Sequence, residues 1–120
     1  MGKIRWHEDE VILLLDLYFR LRTSSKISKN NEDVIMLSTL LNRRADLLNI
    51  THDEKFRNTN GIVMQLQNIE YVITNGKSGI ANVGTLQRQV TERYKDARVM
   101  LHRQADALTE AINSRTYWVR

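Results

Sequence analysis

Three histidines, His7, His52 and His102, stand about fifty residues apart, so no His-Glu-x-x-His or other paired metal spacing arises. A surface role is the plain reading for each. The chain has no cysteine, which removes a thiolate nucleophile, a cysteine-based zinc site and a disulfide framework. No Gly-x-Ser-x-Gly elbow is present. Asp53-Glu54-Lys55 has the residue types of a metal-dependent nuclease signature, but not their order or a partner strand. Gly76-Lys77-Ser78-Gly79 has phosphate-loop residues without the Gly-x-x-x-x-Gly-Lys spacing; it reads as a plain turn, or as a cradle for one backbone phosphate. These residues point away from catalysis by this chain and imply no cofactor or metal.

Nucleic-acid chemistry is better supplied. Between Lys55 and Arg103 there are eight basic residues and three acids, +5 over 49 residues, against +4 for all 120. Asparagine and glutamine read adenine edges and arginine reads guanine. One stretch carries Asn60, Met64, Gln65 and Asn68, with Arg57 and Asn58 leading into it. The candidate DNA contacts are these six together with Lys77, Ser78, Arg88 and Arg93. Four cations of this set (Arg57, Lys77, Arg88 and Arg93) would hold phosphates, and four contacts predict a salt slope of about −3 to −4. The plainer alternative is a polar solvent face with Asn58 as a helix cap. Tyr71 could stack on a base, though a half-buried helix tyrosine is the simpler role.

The elements that must position these residues are helical. Apolar residues make up 42% and charged residues 27% of the chain, so a packed core with a solvated surface is expected. There is no proline, and three of five glycines fall at 76, 79 and 84, leaving little to break helices elsewhere. Glu8, Asp9 and Glu10 form an acidic first turn, and Val11, Leu14, Leu15, Tyr18 and Leu21 follow at helical spacing, predicting a helix over about 8–22. Thr23 to Asn31 reads as a loop. Asn31 is placed to cap a second helix over about 32–42, carrying Val34, Leu37 and Leu41; whether Arg43 to Leu48 continues it stays open. A third helix over about 59–74 has Ile62, Leu66, Ile69 and Ile73 on one face and ends at Asn75-Gly76.

From Leu86 to Ile112 an apolar stripe repeats every three or four residues. Unbroken, these 28 residues (85–112) would span roughly 42 Å. Asp96 could instead cap a second segment. The expected architecture is all-α: a three-helix core over 1–80, loosely Myb/SANT- or helix-turn-helix-like, with a long helix or helix pair as a C-terminal extension over 81–120. The expected core is Trp6, Val11, Leu14, Leu15, Tyr18, Leu37, Leu41, Phe56, Ile62, Leu66 and Ile69. Ile12 to Leu15 is too short an apolar run for a secretory signal or a membrane span. Without cysteine, the reducing interior of a cell is the natural setting.

Read together, the motifs resemble a known family. Arg5-Trp6-His7-Glu8-Asp9-Glu10 and Leu15-Asp16-Leu17-Tyr18-Phe19-Arg20-Leu21 look like the opening of the N-terminal domain of bacterial HNH restriction endonucleases of the McrA-like group. Val34-Ile35, Leu37-Ser38 and Leu41 continue the series, followed by Lys55-Phe56-Arg57-Asn58-Thr59-Asn60-Gly61-Ile62, Met64-Gln65-Leu66-Gln67-Asn68-Ile69 and Gly79-Ile80-Ala81-Asn82. The similarity spans roughly residues 5 to 95 and is most specific from Phe56 to Asn68. It implies a DNA-targeting module, in some members directed at modified DNA, beside a fused or associated nuclease. The partner would be double-stranded DNA, and the setting the bacterial cytoplasm. The HNH residues themselves are absent, so the resemblance implies no cleavage by this segment. The rival expectation is a helical protein-interaction module without DNA contact, a homodimer through the 86–112 stripe.

Overall fold

The computed structural model describes residues 3–24 and 27–117, and these form five α-helices with no strand among them. Helix α1 (Glu8–Ser24) starts with its three acids against the positive end of the helix dipole. Val11 through Leu15 are all buried, as are Leu17, Tyr18 and Leu21. A helix apolar on nearly every side must be surrounded. Accordingly α1 is the central strut, packed by the other four.

Asn31 caps α2 (Glu32–Leu47), its side-chain oxygen accepting from the Asp33 and Val34 amides at 2.8 and 3.3 Å. The helix runs past Asn42, so of the open stretch Arg43 to Leu48 it takes in all but Leu48, which is its C-cap. Arg44 and Ala45 are buried in that added turn. Replacing Asn31 by alanine is expected to lower stability by about 1 kcal/mol in urea unfolding, the usual cost of an N-cap. A change below about 0.3 kcal/mol would show that water replaces the cap.

Helix α3 (Thr59–Ile73) buries Ile62, Leu66, Ile69 and Val72. The last third is two helices, α4 (Thr85–Tyr94) and α5 (Arg98–Asn113). The second is capped by Ala97 rather than Asp96, without a side-chain hydrogen bond. A single helix of roughly 42 Å would outreach the 39 Å long axis of the molecule. The break lets Val90 and Tyr94, then Leu101, Ala105 and Ile112, face the same core. Tyr94 holds the corner by donating to Gln104 Oε1 at 2.8 Å.

These residues are therefore built into the core rather than appended to a three-helix unit. The stripe that suggested a helical dimer faces inward. Of the expected core residues, all are buried except Trp6, which is half-buried and packs against the cluster. No helix among the described residues is long and apolar enough to cross a membrane.

Candidate nucleic-acid interface

Arg57 occupies the turn that feeds α3, at φ +47°. Its guanidinium lies 4.2 Å over the Trp6 ring and 4.4 Å from the Phe56 ring. Nε donates to Glu10 Oε2 at 2.7 Å, and an Nη donates to Glu10 Oε1 at 3.0 Å. A further donor reaches the Arg5 carbonyl at 3.1 Å. The side chain is 8% exposed. Arg57 is thus an interior cation rather than a phosphate contact. The carboxylate of Glu10, itself 1% exposed, supplies the charge expected of DNA.

The same carboxylate continues a buried network. Arg44 Nη1 lies 3.7 Å from Glu10 Oε1, and Arg44 Nε donates to the Tyr117 hydroxyl at 2.9 Å. That hydroxyl donates in turn to Asp9. Burial, reinforced by the bond to Asp9, pushes the Tyr117 hydroxyl up to about 12. From α2, Ser38 Oγ donates to the Arg57 carbonyl at 2.7 Å and Asn42 Nδ2 to the Phe56 carbonyl at 3.0 Å. The 56–57 turn is therefore fixed on both its side-chain and backbone sides. None of Glu10, Ser38, Asn42, Arg44 and Tyr117 stands out in the sequence as functional.

Two more expected readers serve the fold. Asn58 caps α3, its side chain accepting from the Gly61 amide at 2.8 Å. Asn68 Nδ2 donates to the Ile80 and Ala81 carbonyls at 2.7 and 3.1 Å, so it ties the 76–82 loop to α3. Arg93 is ion-paired with Glu8 across α4 and α1. Gln65 is half-buried, and its Oε1 is buried with no hydrogen-bond partner.

The loop after α3 is a turn whose first three amides are used. Gly76 N donates to the Tyr71 carbonyl, Lys77 N to the Thr74 carbonyl and Ser78 N to Thr74 Oγ1. That pattern spends the amides of Gly76, Lys77 and Ser78 inside the turn, so of these three residues only side chains are left to meet a phosphate. Ile80 N donates to the Gln67 carbonyl at 3.0 Å, laying the loop along α3.

What remains both open to solvent and free of an ion pair among the described residues is a smaller set, since Arg93 is exposed but paired with Glu8. Asn60 is exposed and Met64, one turn on, is 58% exposed. Lys77, Ser78 and Ile80 are exposed on the docked loop, and Arg88 on α4, which packs against α3. Tyr71 is half-buried, against Gly76, as a helix tyrosine beside its own stop. Among the described residues, no cluster of three histidines and acids could hold a metal ion. Searches against family models, curated proteins and solved structures match nothing to this chain.

Proposed function

We propose that the chain is a DNA-binding module that targets an HNH-type restriction nuclease to duplex DNA. One observation carries the reading. Lys77 and Arg88 are exposed, have no carboxylate partner among the described residues, and are borne on elements packed against the open edge of α3. Asn60 can pair with an adenine edge there, and the Met64 thioether chain can meet a base methyl group. Sensing of a cytosine modification is the finer form of the same proposal. Phosphate contact falls to Lys77 and Arg88, with Ser78 as a neutral donor.

With Arg57 and Arg93 engaged by Glu10 and Glu8, two phosphate contacts replace the four expected from sequence. The logarithm of affinity is then expected to fall against the logarithm of salt with a slope of about −2. The measurement is fluorescence anisotropy of a labelled duplex and its cytosine-methylated counterpart at several salt concentrations. The double change Lys77→Ala with Arg88→Ala is expected to bring the slope near zero. No binding by the unaltered protein at low salt would overturn the proposal, and a difference between the duplexes would favour modification sensing.

A further inference from the structure

A cleft of about 400 Å³ lies on another face, between α2 and α5 over α1. Its two helical walls run in the same direction. At one end His102 of α5 bonds Asp16 of α1 at 3.1 Å, and Arg20 bridges Asp16 to Asp33 of α2 at 3.5 and 3.9 Å. At the other end Arg43 of α2 donates to Asn113 of α5. Asp33 to Arg43 is ten residues, so the groove is about 15 Å long, close to three helical turns.

The lining is apolar at its base and rim. Leu13 and Leu37 are buried, Leu40 is half-buried, and Ile35 and Met36 stand out at 46% and 67% exposure. Two of the six large exposed apolar side chains of the described residues therefore border this one cleft.

Its charges are sorted along its length. Asp16, Asp33 and Asp106 gather at the His102 end against Arg20, a local charge of −2 with neutral histidine, on a chain of +4. Asp33 and Asp106 are 46% and 69% exposed, their carboxylates 3.9 Å from Arg20 and 3.3 Å from His102. Arg43 stands alone at the far end, on an amide oxygen.

We infer that this groove docks an amphipathic helix of a partner protein. That helix presents about three turns of apolar residues at i, i+4 and i+7. A lysine or arginine meets Asp33 and Asp106 at one end, and a carboxylate meets Arg43 at the other. Two helices supply a third with the ridges it packs into, and the separated charges fix its direction. The inference is independent of the DNA reading, whose surface lies on α3, its docked loop and α4.

The test uses the whole protein and a stapled, fluorescein-labelled helical peptide of about twelve residues with that pattern. A second peptide has its two charged ends exchanged. The first peptide is expected to bind in the micromolar range and the exchanged one at least tenfold more weakly. Met36→Glu is expected to weaken binding at least tenfold, and Asp33→Asn with Asp106→Asn to remove the preference between peptides. Both sets of positions are exposed, so circular dichroism and DNA affinity should stay as in the unaltered protein. Equal binding of the two peptides, indifference to Met36→Glu, or no binding at millimolar peptide would overturn the proposal. So would a dimer in sedimentation that Met36→Glu dissociates, since a second copy would then be the occupant.

Discussion

Replacing Arg57 by alanine is expected to remove about 3–5 kcal/mol of stability, and to do so before any effect on DNA can be read. Glu10 is 1% exposed, and Arg57 gives it two hydrogen bonds at 2.7 and 3.0 Å. Without them a buried carboxylate keeps Arg44 at 3.7 Å and the His7 amide at 3.0 Å, neither of which replaces a bidentate partner. The Trp6 and Phe56 rings would also lose the plane between them. Domains of this size hold roughly 5–15 kcal/mol in all, so the loss is a large share.

At about 4 °C per kcal/mol, Tm should fall by roughly 10–20 °C. Arg57→Lys keeps the charge but loses the fork and the stacking, so an intermediate loss is expected. Lys77→Ala, a surface change, should stay within about 0.5 kcal/mol. Urea midpoints and calorimetry on the three variants check the order. If Arg57→Ala kept its Tm and lost only DNA affinity, Arg57 would be a phosphate contact and the buried pair would be incidental.

The contrast explains what was legible in the sequence. Helices were readable because their apolar spacing is local: Ile62, Leu66 and Ile69 mark one face of α3, and Asn31 and Asn58 sit where caps belong. The function of Arg57 was not, because a cation's partner lies at any distance along the chain. Here it is 47 residues away. A faint signal existed. Glu10 falls in register with Leu14, Leu17 and Leu21, and Arg44 with Leu37 and Leu41, so each places a charge on an apolar stripe.

Two opposite charges on core-facing stripes predict each other, as an unpaired one could not be buried. The α4–α5 corner was half legible. Periodicity continued across it, and only the size of the globule shows why the chain must turn there. The α2–α5 groove could not be read at all, since its walls are remote in sequence and its exposed Met36 looks like an ordinary member of the α2 stripe.

Gly79→Ala is the substitution expected to separate the loop from the fold. Gly79 sits at φ +93°, and a Cβ there would stand 2.3 Å from the Gln67 carbonyl oxygen and 2.6 Å from the Tyr71 nitrogen. Both are backbone atoms of α3 and cannot swing aside as a side-chain tip would. The loop must lift instead, giving up the Ile80 amide bond to Gln67 and the two carbonyl bonds from Asn68. Left-handed strain and overpacking together suggest a loss of about 1–3 kcal/mol. Because the loop is exposed, much of that is relieved by local release, and α-helical circular dichroism should be kept.

The functional consequence is larger than the thermodynamic one. Lys77 and Ser78 ride on this loop, so its release should weaken duplex binding at least tenfold and cut the salt slope by about one. Gly76→Ala is the matched control: φ is +85°, but the new Cβ meets only the end of the Tyr71 ring at 3.3 Å. It should cost about 1 kcal/mol as a lost left-handed stop and leave affinity within about threefold. Hydrogen exchange at the Ile80 amide reads the release directly, and anisotropy reads the binding. Gly79→Ala with a fast Ile80 amide and full affinity would take the loop out of the DNA surface, leaving Arg88 as its sole cation. A slow Ile80 amide would mean that α3 yields to the new methyl group, and that the docked loop is held by more than the close approach of two backbones.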